Sequence, residues 1–265
     1  MKELLTIDTL SPVEQRRIER FDRKSTMVTE KMLRRIYDLS HRPEALTPFL
    51  DTLSRIYVQK QEPLRPEGVP MVGTYCIMVP PELVYAQGAM PVKLCSGSYT
   101  AFGVGDDMAP RDACPLVKAV MGFEDVDAMP VYKACSLMAV PVTCDCKKKL
   151  AGWLMERRPT ALLHVPANRD RDEDMERFVK ELYTLIDQLT AVTGHELRYD
   201  NLEAACRLMA DTQMELSRFM ELRKRYPLLI RGTFSMAVMN ALGYTWAPLW
   251  TKQLRVLNAE LVELA

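Results

Sequence analysis

The feature that most constrains the fold is an alternation of short apolar runs with helix-forming stretches in the middle of the chain. Apolar runs of strand length lie at 70–79, 91–94, 136–143 and 159–165, and helix-forming stretches separate them. Strands that alternate with helices in this way form βαβ units, whose strands are parallel. The run at 136–143 is almost wholly apolar, which is typical of a strand buried on both faces. The sequence therefore predicts the α/β class, with a Rossmann-like, mostly parallel sheet flanked by helices.

Helical patterns flank this region on both sides. Ser11 and Glu14 form a capping box before a stretch with apolar residues at helical spacing. Apolar residues at helical spacing return after the last strand-like run. We therefore divide the chain into an N-terminal helical segment at 1–66, a cysteine-bearing α/β domain at 67–167 and a C-terminal helical segment at 168–265.

The charge balance and the length of the apolar runs limit the partners of this chain. Lys and Arg together number 35, as do Asp and Glu, so the formal net charge is zero. Broad nucleic-acid binding needs a basic surplus that displaces counterions, so we expect no nucleic acid as a partner. No apolar run approaches the roughly 20 residues of a membrane helix, and no secretory signal is visible. We expect no membrane partner and a cytoplasmic location, where thiols stay reduced.

The seven cysteines are many for a cytoplasmic chain, and they are unevenly spread. Cys76 and Cys144 follow predicted strands, and Cys114 precedes a predicted helix start. Because open α/β sheets bind ligands outside the carboxyl ends of their strands, these three thiols are expected to approach one another. Thiolates suit zinc or an iron–sulfur cluster. The absence of a CxxC pair favours the cluster over a zinc site.

Other interpretations of the cysteines and of the neighbouring lysines stay open at this point. The thiols can be buried and inert, packed like small apolar side chains, as we expect of Cys206 on an apolar helix stripe. Alternatively, Cys135, Cys144 and Cys146 bind zinc. The basic run at 147–149 is either a solvated surface or a site that attracts a phosphorylated ligand or an acidic partner.

Several ordered motifs carry a resemblance to a known family. They are GTYC at 73–76, PVKLC at 91–95, DACPLVK at 112–118 and VTCD at 142–145. In this order they resemble the motifs of 2-hydroxyacyl-CoA dehydratase subunits and of the related double-cubane cluster proteins. The resemblance implies an iron–sulfur cluster, of the [4Fe–4S] or double-cubane type, held by cysteine thiolates. By match to the motifs, Cys76 and Cys114 are cluster ligands, and Cys144 is a further ligand or a pocket residue.

The resemblance also implies a reaction and a set of partners. An ATP-dependent activator protein delivers one electron to the cluster, and the enzyme is a lyase that removes water from a 2-hydroxyacyl-CoA, or a related reductase. Family members carry a second α/β domain with further ligands, which we expect a partner to supply here. The alternative is a truncated structural or regulatory subunit that keeps the fold without the cluster and is not catalytic.

Overall fold

A computed structural model describes residues 11–95, 97–127, 129–168 and 170–265. Its centre is a four-stranded sheet in the order β2-β1-β3-β4, in which every neighbouring pair is parallel. The prediction of an α/β fold with a parallel sheet is therefore confirmed. The strands are β1 (Met71–Thr74), β2 (Met90–Lys93), β3 (Cys135–Val142) and β4 (Thr160–His164).

Eleven α-helices among the described residues surround the sheet. The first begins at the predicted capping box, where the Glu14 N–H donates to Ser11 Oγ at 3.3 Å and the Ser11 N–H donates to Glu14 Oε2 at 2.8 Å. None of the helices in the described ranges is long and apolar enough to cross a bilayer. The helices are α1 (Pro12–Tyr37), α2 (Thr47–Tyr57), α3 (Pro81–Ala86), α4 (Tyr99–Gly105), α5 (Pro115–Val126), α6 (Pro130–Lys133), α7 (Asp145–Met155), α8 (Asp172–Thr193), α9 (Tyr199–Arg225), α10 (Gly232–Leu242) and α11 (Ala247–Glu263).

The first strand is shorter than the apolar run that predicted it. The last hydrogen bond between this segment and β3 runs from the Tyr75 N–H to the Ala139 carbonyl, at 3.2 Å. The chain then turns, and the Val79 N–H approaches the Cys76 carbonyl at 3.5 Å before α3 begins. Val79 is buried in the core on one face of the sheet, whereas Ile77 in the same turn is exposed. Cys76 consequently lies in a turn beyond the strand.

Helices cover both faces of the sheet, which explains why its strands are so apolar. Alternate residues of a strand point to opposite faces. On one face Met71 and Met138 pack with side chains of α5 and α7, and on the other Val72 packs with Leu185 and Leu189 of α8. Both sets of side chains are buried.

A separate apolar core joins helices from the two ends of the chain. Phe49 of α2 and Trp250 of α11 meet edge to face, with ring centroids 6.1 Å apart. The Trp250 indole N–H donates to the Val238 carbonyl of α10 at 3.0 Å. The connection between α10 and α11 also covers the outer edge of β2, because the Lys93 N–H donates to the Gly243 carbonyl at 3.1 Å. This packing leaves the carboxyl ends of the strands for the candidate site.

Candidate functional site

Four cysteines lie at the edge of the sheet where the strands end. Cys76 follows β1, Cys95 follows β2 and Cys144 follows β3, while Cys114 is the residue before α5. Carboxyl ends of parallel strands meet at one edge, so three of these positions share it by topology. Cys76 and Cys114 are half-buried, and Cys95 and Cys144 are exposed.

The environment of Cys76 favours its thiolate. Burial by itself would raise the pKa of this thiol, but several donors oppose that effect. The backbone N–H groups of Met78 and Ile77 and the ammonium of Lys147 act on the sulfur, and together they lower the pKa below its ordinary value. Lys147, which is half-buried in the first turn of α7, therefore belongs to this edge.

Cys95 links Cys76 to Cys114. Although Cys95 is an exposed residue, the surrounding protein partly desolvates its thiol and raises the pKa, and Lys147 acts in the opposite direction. The negative charges of Cys76 and Cys114 raise it further, which requires the three sulfurs to be close enough to interact electrostatically. The structure thus places Cys76, Cys95 and Cys114 within electrostatic range of one another, and Lys147 acts on Cys76 and Cys95.

Cys146 contacts the backbone of Cys114. The Cys114 N–H donates to Cys146 Sγ at a distance of 3.5 Å. Cys114 is the N-cap of α5, with Pro115 in the first helical position, and Cys146 lies in the first turn of α7. The beginnings of α5 and α7 are therefore held side by side at the edge.

Close contact between α4 and α5 sets the direction of α5, the helix that Cys114 precedes. A Cβ atom on Gly105 would lie 1.8 Å from the Lys118 carbonyl oxygen, and one on Gly122 would lie 2.0 Å from the Ala101 carbonyl oxygen. Only glycine allows the two backbones to come this near. The crossing fixes the direction of α5, and so the position of its first residues.

Cys144 and Cys135 lie at opposite ends of β3. Cys144 is exposed at the N-cap of α7, whereas Cys135 is buried at the start of the strand. Burial raises the pKa of Cys135 to about 12, and its thiol donates to the Val131 carbonyl at 3.2 Å. The strand's eight residues separate its ends by about 25 Å at the usual rise per residue. A zinc site that joins Cys135 to Cys144 and Cys146 is therefore wrong.

Two further observations concern the predicted thiols. Among the residues that the structure describes, no three His, Cys, Asp or Glu side chains form a group that could hold one metal ion. Cys206, expected in the core, is exposed on α9, so that prediction is wrong. Its neighbour Ala205 occupies the buried position instead, one residue and about 100° around the helix.

Large apolar side chains face solvent around the cysteines. Ile77 is 84% exposed, Tyr99 is 88% exposed and Leu116 is 49% exposed. Each of them lies within four residues of Cys76, Cys95 or Cys114. We call these three residues the apolar rim. Several large apolar side chains exposed near candidate ligands are typical of an interaction site.

Sequence reasoning did not name Cys95 as a ligand, considered Cys146 only in the zinc alternative and considered Lys147 only as part of a basic run. A signal for Cys95 existed, because it follows the predicted strand at 91–94 just as Cys76 follows the first strand. The basic run at 147–149 drew attention to Lys147, but no sequence signal linked it to Cys76. Its contact with Cys76 depends on the adjacency of β1 and β3, which lie far apart in the sequence.

A family model decides how this chain is related to known proteins. The model described as 2-hydroxyglutaryl-CoA dehydratase, D-component, matches residues 76–265, which include all the cysteines named above. The chain belongs to this dehydratase family. The predicted resemblance is therefore confirmed.

Individual relatives agree with this membership of the dehydratase family. The Escherichia coli protein named "Putative dehydratase subunit YjiM" is 31% identical over 176 residues, covering 66% of this chain and 46% of that protein. The lactoyl-CoA dehydratase subunit beta of Anaerotignum propionicum is 24% identical over 194 residues, or 73% of this chain and 51% of that protein. The (R)-2-hydroxyglutaryl-CoA dehydratase subunit beta of Acidaminococcus fermentans is 21% identical over 204 residues, which cover 74% of this chain and 52% of that protein. The chain spans about half the length of these relatives.

Proposed function

We propose that this chain is the cluster-binding subunit of a 2-hydroxyacyl-CoA dehydratase-like enzyme, with Cys76 and Cys114 as ligands of an iron–sulfur cluster. The observation that carries the proposal is that Cys76, Cys95 and Cys114 lie within electrostatic range of one another at the carboxyl edge of the sheet, with Lys147 acting on Cys76 and Cys95. Its relatives are dehydratase subunits, which supports the reaction class.

The residues at this edge fit an iron–sulfur cluster. Such clusters are held by cysteine thiolates, and two backbone N–H groups and Lys147 lower the pKa of Cys76, which favours its thiolate form. Each thiolate binds a different iron atom of a cluster, so the sulfurs need not converge on one point. Cys95 is a third candidate ligand, and Cys144, exposed at the same edge, is a candidate ligand or pocket residue.

The chain's own groups prepare the site for electron transfer. When bound, the cluster supplies single electrons at a potential that its surroundings set. The ammonium of Lys147 offsets the negative charge of the thiolates, and the N–H groups of Ile77 and Met78 donate to Cys76. Hydrogen bonds to ligating sulfurs tune the reduction potential. The apolar rim excludes water once a partner covers it.

We infer that a second α/β unit covers the edge. The residues of the apolar rim are too exposed to serve the packing of this chain alone, and each lies within four residues of a candidate ligand. Two of the curated relatives are named as subunits beta, which supports an assembly of more than one chain. An ATP-dependent activator protein would deliver the electron to this assembly, and an acyl-CoA would be its substrate.

Anaerobic reconstitution with iron and sulfide tests the proposal. We expect the native chain to bind iron and sulfide, to turn brown and to show an electron paramagnetic resonance signal after reduction. Cys76→Ser and Cys114→Ser should each lose most of the iron, because each removes one thiolate ligand. Cys206→Ser is the matched control, since this exposed thiol lies on α9 and not among the candidate ligands.

Two results would contradict the proposal. One is a folded native chain that takes up no iron, which would favour the structural or regulatory subunit instead. The other is equal iron content in native chain, Cys76→Ser and Cys114→Ser. Circular dichroism of each sample establishes that the fold is intact.

A further inference from the structure

Lys118 is a charged residue in a buried position. It lies in α5, one turn after Cys114, and is only 3% exposed. A buried ammonium is costly unless its three N–H donors find partners. The partners of this lysine therefore indicate what its burial achieves.

Those partners come from the segment that joins α4 to α5. The ammonium of Lys118 donates to Asp106 Oδ1 at 2.6 Å and to the Arg111 carbonyl at 2.8 Å. It also stands 5.5 Å from the centre of the Phe102 ring, which offers a cation–π contact. One side chain thus contacts α4 and both the start and the middle of the joining segment.

The joining segment ends at Cys114 and contains no strand or helix of its own. A turn in which the Ala113 N–H donates to the Pro110 carbonyl, at 2.9 Å, lies immediately before the cysteine. The α4–α5 crossing fixes the helices but not this turn. Lys118 holds this turn from its buried side, because the Arg111 carbonyl that it binds lies within the turn. We call the hydrogen bonds of its ammonium to Asp106 and Arg111 the tie.

We propose that Lys118 is the positioning residue for Cys114. Its ammonium holds residues 106–113 folded against α5, so that the Cys114 thiol stays half-buried beside Cys76 and Cys95. The importance of this position rests on the proposed cluster function. The tie itself is a property of the chain without any cluster.

Alkylation of individual cysteines in the cluster-free, reduced chain tests the tie. The rate for each thiol with iodoacetamide is followed by peptide mass spectrometry in native chain and Lys118→Met. We expect Cys114 to react roughly tenfold faster in the variant, because hydrogen bonds to a charged group no longer oppose local opening. Lys118→Arg, which keeps a charged donor, should restore at least part of the protection.

The control variant is Lys133→Met, which removes another lysine–aspartate pair, that with Asp127 at 2.8 Å, away from the joining segment. It should leave the Cys114 rate unchanged. Buried Cys135 reports global unfolding in every sample. If Lys118→Met does not fold, Asp106→Ala removes one partner at a half-exposed position and should raise the Cys114 rate by a smaller factor.

The alkylation rates of Cys114 and Cys135 together decide whether Lys118 positions Cys114. A faster Cys114 with unchanged Cys135 supports the tie. An unchanged Cys114 overturns it, and so does a parallel rise of Cys114 and Cys135, which would mean that Lys118 only stabilises the whole fold. After reconstitution, Lys118→Met should retain less iron than native chain. If the native chain itself binds no iron, the proposed function fails while the alkylation result still decides the tie.

Discussion

Cys76 follows β1 and Cys135 begins the adjacent strand β3, yet their thiols lie in opposite chemical environments. Cys135 pairs with Met71 at the start of β1, and Cys76 lies beyond the end of that strand. Burial raises the pKa at both positions, but only Cys76 receives backbone N–H groups and a lysine that reverse the effect. The difference shows that strand polarity decides thiol chemistry here. At the carboxyl edge the chain turns and helices begin, which leaves N–H groups free to face a sulfur.

The largest expected difference is in alkylation of the native, cluster-free chain at pH 7. The thiolate is the reactive form, and the pKa of Cys135 is raised to about 12 while that of Cys76 lies below its ordinary value of 9.0. We therefore expect Cys76 to react with iodoacetamide at least about a thousandfold faster than Cys135. Peptide mass spectrometry over a time course measures both rates.

Unfolding the chain in urea provides the control for this comparison. Without the fold, Cys76 and Cys135 should react at similar rates, because the pKa of each thiol then returns to the ordinary value for cysteine in an unfolded chain. Similar alkylation rates for Cys76 and Cys135 in the native chain would contradict the proposed difference between the two ends of the sheet.

A second prediction concerns the charged network on the Cys135 side. The Tyr75 hydroxyl donates to Glu124 Oε1 at 2.9 Å, and Arg158 Nε donates to Glu124 Oε2 at 2.7 Å. Arg158→Met would leave Glu124 buried without its ion-pair partner, at a cost of about 3 kcal/mol in the free energy of unfolding. Urea unfolding measures the loss.

The loss should depend on pH in a defined direction. Burial raises the pKa of Glu124 above its ordinary value of 4.5, although Arg158 opposes the shift. The folded state therefore keeps the proton to a higher pH than the unfolded state, and stability falls as pH rises above about 4.5. In Arg158→Met this fall should continue to higher pH, because the pKa of Glu124 in the folded state rises further once the opposing arginine is removed. The neighbouring Arg157→Met, at an exposed position, is the control, and an equal effect there would contradict the prediction.

The smallest expected effect concerns the helix crossing that supports Cys114. Gly122→Ala would place a methyl group 2.0 Å from the Ala101 carbonyl oxygen, so α4 and α5 must move apart. We expect a loss of about 2 kcal/mol in the free energy of unfolding. Gly103→Ala on the exposed side of α4 meets nothing within 4 Å and should be neutral or stabilising by up to about 1 kcal/mol. Equal unfolding free energies for the two variants would show that the crossing tolerates a side chain.

Local signals predicted much of the fold. The capping box at Ser11 and the strands near 91–94, 136–143 and 159–165 all appear within a residue or two of their predicted places. These signals work because propensity and apolar periodicity act over a few neighbouring residues. The first strand was predicted too long, since the turn at Cys76 is as apolar as a strand and periodicity does not distinguish them.

The candidate site could be predicted only in part. Cys76 and Cys114 were placed at one edge from the strand–helix pattern alone, and the structure brings them into electrostatic range of Cys95. The contact of Lys147 with Cys76 could not be foreseen, because it requires β3 to lie beside β1 rather than beside β2. Whether Cys144 takes part as a ligand stays a prediction.

The sequence by itself determined which segments are strands and helices, and that several cysteines stand where strands end. Only the tertiary structure decided which thiols meet, which lysine joins them and which thiol is enclosed in the core. The physical reason is that strand order and helix crossings, such as the contact of Gly105 with Lys118, arise from packing between residues distant in the chain. A local sequence pattern does not specify that packing.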